Sequence, residues 1–123
     1  MREDVGLLAY SPLGQGYLSG KYQNGAMPER SRKQLFNRLQ RYEGPGADVA
    51  IQSYMDLAAK LGVLPETLAI KFCDTRPFVT STIIGATTMD QLKIDIEAFK
   101  MVWTSDIEKA VGALHYNQPN PCP

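Results

Sequence analysis

Two short apolar runs stand out in the pattern of hydrophobic and polar positions. The first covers Val5–Tyr10 and ends at the turn signal Ser11-Pro12, and the second covers Val79–Ile84 and ends at Gly85. Unbroken apolar runs of this length, bounded by turn residues and rich in β-branched side chains, are typical of strands buried on both faces of a parallel sheet. The pattern therefore predicts two buried strands.

A long polar segment follows the first predicted strand. Residues 11–47 hold most of the glycines and many charges, and they read as one loop with a short helix near Leu35–Arg41. A loop of this length inside a compact domain is usually functional. The basic cluster Arg30, Arg32 and Lys33 within it is interpreted as a solvated surface.

Apolar positions at helical spacing predict two helices between the strands. Asp48 is placed to cap a helix over Val49–Leu61, and Gly62 suits the left-handed position just past its end. Pro65 suits the first turn of the second helix, which must stop before Pro77. The core-facing side of the first helix is predicted to carry Ile51, Tyr54, Met55, Ala58 and Leu61.

Two further helices are predicted after the second strand. Each begins with a capping box, and these pair Thr88 with Gln91 and Ser105 with Glu108. The helices end at Phe99 and near His115, where the histidine has a surface or helix-ending role. The tail Tyr116–Pro123 holds three prolines and is predicted to be extended.

The order of these elements predicts an α/β fold. Strands that alternate with helices imply right-handed crossovers and a parallel sheet. A closed (β/α)8 barrel needs eight strands in about 250 residues, whereas the chain has 123 residues and two predicted strands. Residues 1–123 are therefore expected to form part of such a barrel.

Composition narrows the possible partners. Apolar residues make up 44% and charged residues 21%, as in an ordinary globular protein, and thirteen basic residues balance thirteen acidic ones. This balance predicts neither a nucleic-acid nor a membrane partner. Cys73 and Cys122 fit no disulfide framework or metal site. Met1–Asp4 lacks the apolar core of a secretory signal, so a cytoplasmic location is expected.

The loop after the first strand is a candidate ligand site. Its glycines allow backbone N–H groups to approach an anion closely, and Lys21 supplies a charge that can neutralise a phosphate. Tyr10, at the carboxyl end of the strand, can stack on a flat ligand. An ordinary turn beside a core tyrosine explains the same residues equally well.

The turn after the second strand is the other candidate. A strand that ends at Gly85 and a capped helix that follows it form the arrangement in which helix N-termini bind phosphate. Thr87 can add a hydroxyl group. The alternative is a plain connection between strand and helix, where Gly and Thr are common.

Two sequence strings together resemble the aldo-keto reductase family. GLLAYSPLGQGYLSGKY is similar to the family's seventh-strand signature, and FVTSTIIGATTMDQLKIDIEAF is similar to its eighth strand and following helix. LFNRLQRY and the Pro-rich ending resemble the bacterial Tas-like branch of that family. The resemblance runs from Val5 to the end of the chain and implies the last two βα units of a (β/α)8 barrel, with a C-terminal helix and tail.

The resemblance implies an NADP(H)-binding role. Tyr10 matches an aromatic that stacks on the nicotinamide, Lys21 matches a lysine near the pyrophosphate, and Arg30 or Arg32 matches a basic residue that folds over the cofactor. The implied wrapping of the pyrophosphate falls to Ser11, Pro12, Leu13, Gly14 and Gln15. The implied neighbours of the 2′-phosphate and adenine are Gly85, Thr87, Gln91 and Asp95.

The chain departs from the family beside the adenine. Where the family often has Glu-Asn, this chain has Ile94-Asp95, so neither the family's carboxylate nor its amide is present at its place. Stacking and backbone groups would then hold the adenine.

The resemblance also implies an activity for the whole protein. Aldo-keto reductases reduce aldehydes or ketones to alcohols with an Asp, Tyr, Lys and His set, in which the tyrosine delivers a proton. The motifs that carry these four residues belong to earlier strands and do not occur here, so no catalytic residue is assigned. One alternative is a non-catalytic nucleotide-binding or regulatory protein, similar to channel β subunits of the same fold. Another is a half-barrel that self-associates to cover its open strands.

Overall fold

The computed structural model describes residues 5–37 and 40–122. Their helices and strands, in chain order, are β1 (Leu7–Tyr10), α1 (Arg32–Phe36), α2 (Ala47–Leu61), α3 (Pro65–Asp74), β2 (Val79–Ile83), α4 (Met89–Ala98) and α5 (Ser105–Asn117). Short 3-10 turns lie at Gly14–Ser19, Gln23–Gly25 and Gln40–Tyr42. Within these residues, no helix is both long and apolar enough to cross a bilayer.

The two strands form a parallel pair, which confirms that part of the prediction. Leu7 lies opposite Val79 and Tyr10 lies opposite Ile83, with an irregularity in register after Leu7. Because parallel strands point the same way, their carboxyl ends meet at one edge of the sheet. The loops that begin at Ser11 and at Ile84 therefore leave the sheet side by side.

The prediction that both strands are buried on both faces is wrong for the described residues. Leu8 is 58% exposed, Tyr10 63% and Ile83 48%. A two-stranded sheet leaves outer edges and faces that its own short strands do not cover. The apolar pattern therefore describes an environment that this chain does not supply alone.

Two hydrophobic clusters lie along α2. The loop core, at its N-terminal half, contains Tyr17, Tyr22, Ala47 and Ile51, with Met55 among the half-buried residues packed against them. The helix core, at the other half, is formed by Ala58, Leu68, Ile107 and Val111, with Tyr54 and Leu61 packed beside them. All five residues predicted for the core-facing side of α2 lie in or against one of these clusters.

The helix starts correct the sequence prediction by two positions at α2 and by one position at α5. α2 begins at Ala47 after Gly46, so Asp48 lies in the first turn and is not the N-cap. Its carboxylate still suits the positive end of the helix dipole. α5 is capped by Thr104, whose Oγ1 accepts a hydrogen bond from the Ile107 N–H at 3.3 Å, and not by Ser105. Gly62 closes α2 with a φ of 68°, as predicted.

The C-terminal helices also differ slightly from the prediction. Thr88 caps α4 by accepting from the Gln91 N–H, as expected, but the Gln91 side chain accepts from Thr87 and not from Thr88. α4 ends at Ala98, one residue early. α5 continues past His115 to Asn117, so the tail is shorter than predicted.

The short helix in the long loop lies earlier than predicted. α1 covers Arg32–Phe36 and is capped by Ser31, whereas the prediction was Leu35–Arg41. Residues 38–39 of that prediction lie outside the described residues. The second strand ends at Ile83 and not at Ile84.

Candidate cofactor-binding site

The structure brings the two predicted loops to the same edge of the sheet. Tyr10 and Ile83 are register partners, so Ser11 and Ile84 begin their loops from adjacent positions. The carboxyl edge of a parallel sheet is where α/β proteins bind ligands. The geometry thus joins two segments that are separated by most of the chain.

The first loop is held in a tight, largely left-handed conformation. The φ values of Ser11, Gly14, Gln15 and Gly16 are 53°, 53°, 57° and 99°. For Ser11 and Gln15 this conformation costs about 1 kcal/mol each. The N–H groups of Gly14 and Gly16 donate to the carbonyls of Ser11 and Leu13, both at 2.9 Å. The loop therefore stabilises its own shape, and these two donors are already used.

Lys21 lies directly beside this loop. A Cβ added at Gly16 would stand 2.7 Å from the Lys21 Nζ, so the ammonium group approaches the loop backbone where no side chain intervenes. The same Nζ lies 5.2 Å from the centroid of the Tyr22 ring. Within the described residues, Lys21 has no ion-pair partner. Its charge is therefore available to an anion at the loop.

Tyr10 presents its ring at the carboxyl end of β1. It is 63% exposed, and its hydroxyl oxygen accepts a hydrogen bond from Arg41 Nη1 at 3.2 Å. The sequence predicted Tyr10 as a cofactor-binding residue, but it did not predict the contact with Arg41. Arg41 stands in the string that resembles the Tas-like branch, but no local pattern there points to Tyr10.

The second loop lines an open groove, which includes the candidates Gly85 and Thr87 but not Gln91. A cavity of about 290 Å³ is lined by residues 84–89 and Leu92. Gln91 Oε1 accepts from both the backbone N–H and the hydroxyl of Thr87, each at 2.9 Å. The Gln91 side-chain oxygen is therefore occupied, which leaves the amide NH₂ as its donor group toward a ligand. Gly85 has open space around its Cα, so the chain's own packing does not require a glycine there.

Asp95 and Arg30 are placed differently from the other candidates. Asp95 is 2% exposed and lies with Ala98 on the buried face of α4, not among the residues that line the groove. Its Oδ2 has no hydrogen-bond partner, and burial raises the pKa of its carboxyl group. Arg30 is exposed, with a φ of 59°, and its N–H donates to Gln34 Oε1 at 2.6 Å.

Comparison with known proteins places these features in a family. Residues 1–114 match the model of the Aldo/keto reductase family. "Protein tas" of Escherichia coli (strain K12) is 45% identical over 121 residues, which cover 98% of this chain and 35% of that protein. A "Probable voltage-gated potassium channel subunit beta" of Arabidopsis thaliana is 36% identical over 80% of this chain and 31% of its own length. An "Aldo-keto reductase" of Babesia bovis is 32% identical over 95% of this chain and 43% of its own length.

This chain belongs to the aldo/keto reductase family, as the two motif strings predicted. Its similarity to the tas protein confirms the resemblance to the Tas-like branch. The family implies a (β/α)8 barrel, and the described parallel strands and helices are consistent with part of one. The chain spans 31% to 43% of the length of these curated relatives, so only a portion of such a barrel is in view.

Proposed function

We propose that this chain is the C-terminal, cofactor-binding part of an NADPH-dependent aldo-keto reductase, formed by the last two βα units of the barrel. The main support for this function is that two loops with anion-binding features leave one edge of a parallel sheet side by side. The substrate of the whole protein would be a small aldehyde or ketone, reduced to an alcohol. The free Cys73 and Cys122 suit the cytoplasmic location that we propose with it.

The residues present suit the chemistry of NADPH. Lys21 offers an ammonium group beside the glycine-rich loop that has no ion-pair partner among the described residues, and Gln91 offers an amide donor at the second loop. The cofactor would supply the hydride. In this proposal Tyr10 supports the nicotinamide, residues 11–15 with Lys21 hold the pyrophosphate, and Thr87 with Gln91 holds the 2′-phosphate. No residue of this chain is proposed to transfer the proton.

A regulatory, non-catalytic role is the second candidate. It is favoured by the 36% identity to a protein named as a potassium channel subunit. Both candidates use the same cofactor site, so cofactor binding alone does not separate them. Turnover of a carbonyl compound by the natural polypeptide that carries these residues would decide for the reductase.

Titration with NADPH, followed by cofactor fluorescence, tests the cofactor assignment. We expect saturable binding of NADPH and weaker binding of NADH. Lys21→Ala should weaken NADPH binding by about tenfold, since a charge-assisted hydrogen bond contributes about 1.5–3 kcal/mol. Thr87→Ala should weaken NADPH but not NADH. Lys60→Ala, an exposed change on α2, and Thr87→Ser are the matched controls. Equal affinity for both cofactors, or no effect of Lys21→Ala, would contradict the assignment.

A further inference from the structure

The basic cluster at the start of α1 contains two kinds of residue. Arg30 and Arg32 are exposed and have no ion-pair partner among the described residues. Lys33 instead turns inward, and its Nζ lies 2.7 Å from Glu43 Oε1 with only 20% of its side chain exposed. The interpretation of this cluster as a solvated surface is therefore wrong for Lys33.

The same carboxylate oxygen binds a second group. The hydroxyl of Tyr17 donates to Glu43 Oε1 at 2.6 Å. Lys33 Nζ also lies 5.7 Å from the ring centroid of Tyr17 and 5.9 Å from that of Tyr22, within reach of cation–π attraction. We call Tyr17, Lys33 and Glu43 the latch. It joins the glycine-rich loop, α1 and the segment before α2.

The local sequence explains why α1 depends on such contacts. α1 has five residues, and an isolated helix of this length is unstable in water. Helix propensity therefore does not keep α1 in place, and contacts with other segments must do so.

The latch is arranged to stay closed around neutral pH. Tyr17 is 5% exposed, and its burial, followed by its hydrogen bond to Glu43, raises the pKa of its hydroxyl group. The hydrogen bond from Lys33, followed by that from Tyr17, lowers the pKa of Glu43. Tyr17 thus remains a neutral donor while Glu43 remains an anion.

We propose that Tyr17, Lys33 and Glu43 are positioning residues for the cofactor site. They fasten the start of α1 to the glycine-rich loop, so that the neighbouring Arg30 and Arg32 stay close to the phosphates bound there. The inference rests on the proposed NADPH-binding function. The latch residues themselves act through the arginines and need not touch the cofactor.

Hydrogen exchange of the backbone amides in residues 28–37 tests the fastening without any cofactor. In the natural polypeptide that carries these residues, Lys33→Met and Glu43→Gln should each raise exchange by about 2- to 5-fold, the range expected for a half-exposed ion pair. Lys33→Arg and the exchanged pair Lys33→Glu with Glu43→Lys should restore protection. Lys109→Met is the matched control, because Lys109 lies 3.9 Å from Asp106 in an exposed pair on α5.

NADPH affinity and dissociation rate, measured for the same variants, test the positioning. Lys33→Met and Glu43→Gln should weaken binding about threefold, mainly through faster dissociation, and the restoring variants should recover it. Unchanged exchange in residues 28–37 would show that no latch fastens α1. Raised exchange with wild-type NADPH affinity would overturn the positioning role. If the unchanged protein binds no NADPH, the proposed function and the positioning role both fail, whereas the exchange data still decide whether the latch fastens α1.

Discussion

At the scale of single residues, Asp95 combines deep burial with an unsatisfied charge. It is 2% exposed, its Oδ2 has no hydrogen-bond partner within residues 5–37 and 40–122, and burial raises the pKa of its carboxyl group above the ordinary value of 3.8. A raised pKa in the folded state means that the folded protein binds the proton more tightly than the unfolded chain does. The associated stability is therefore complete at acidic pH and is lost as the pH rises through the folded-state pKa.

Asp95→Asn should stabilise the fold at neutral pH. The variant removes the charge but keeps a polar group at this site, and we expect the free energy of unfolding at pH 7 to rise by about 1 kcal/mol, because burying an ionised carboxylate costs more than burying a neutral amide. The gain over wild type should shrink toward pH 4, where the carboxyl group becomes protonated. Urea unfolding at both pH values measures it, with the exposed Asp56→Asn as control. A loss of stability at pH 7 would show that the carboxylate has a stabilising partner.

Residues that form caps were predicted less well than residues that end elements. Asp48 and Ser105 were each predicted as a cap, but the caps are Gly46, two positions before Asp48, and Thr104, one position before Ser105. Several neighbouring residues can cap a helix locally, and tertiary contacts choose among them. Glu108, for example, cannot complete a capping box because its carboxylate is bound to Arg76 and Trp103.

At the scale of elements, a charged cluster connects the end of α3 to the start of α5. Arg76 Nη1 donates to Glu108 Oε1 at 2.9 Å, and Arg76 Nη2 donates to Glu108 Oε2. Trp103 Nε1 donates to the same Oε2 at 2.7 Å, and the Arg76 guanidinium lies 4.4 Å from the centroid of the Phe72 ring. The hydrogen bonds from Arg76, followed by the one from Trp103, lower the pKa of Glu108 to about 2.

Glu108→Gln should weaken this connection in a pH-dependent way. A lowered pKa contributes stability above the unfolded-state value of 4.5, and this is lost as the pH falls through about 2. Because the Glu108 side chain is 46% exposed, solvent screening limits the loss at pH 7 to about 0.5–1 kcal/mol. Urea unfolding at pH 7 and pH 3 should show a smaller difference from wild type at pH 3. Glu97→Gln is the control, and a difference independent of pH would count against the ion pair.

The long elements were predictable because their signals are local. Gly62 suits the left-handed position that ends α2, Pro65 suits the first turn of α3, and helical spacing identified the core-facing side of α2. α1 was misplaced although its cap, the Ser31 hydroxyl that accepts from the Gln34 N–H, is a local signal. The ion pair between Lys33 and Glu43 was not predictable, because only the folded chain brings these residues together. The candidate site follows the same division, since its two loops were predicted from sequence but Arg41 and the latch were not.

At the scale of the whole molecule, the C-terminal tail returns to the loop core. Gln118 Nε2 donates to the carbonyl oxygen of Gly46 at 2.8 Å, and Cys122 packs against the loop core. A Cβ added at Gly44 would stand 2.9 Å from the Pro121 carbonyl oxygen. The tail and the start of α2 are thus in backbone contact, and Gly44 permits it.

Two glycine substitutions should therefore have opposite effects. Gly44→Ala should lower the free energy of unfolding by about 1–3 kcal/mol, because backbone at Pro121 must move to admit the methyl group. Gly112→Ala, in α5 with open space around it, should raise that energy by about 0.5–1 kcal/mol through helix propensity. Urea unfolding measures both, and faster proteolysis of the tail should accompany only Gly44→Ala. A neutral Gly44→Ala would mean that the tail is not held there.

The exposed strands lead to the prediction that the isolated chain self-associates. Apolar sequence predicted buried strands, yet Leu8 and Ile83 are 58% and 48% exposed, and each described strand pairs only with the other. Open edges beside exposed apolar side chains favour pairing between copies. Sedimentation of residues 1–123 should show concentration-dependent association that Leu8→Lys reduces. Val102→Lys, at a 77% exposed site between α4 and α5, should not reduce it. A monomer that unfolds cooperatively at every concentration would contradict this prediction. It would mean that the two-stranded sheet is stable alone, although the apolar side chains of its strands are not buried.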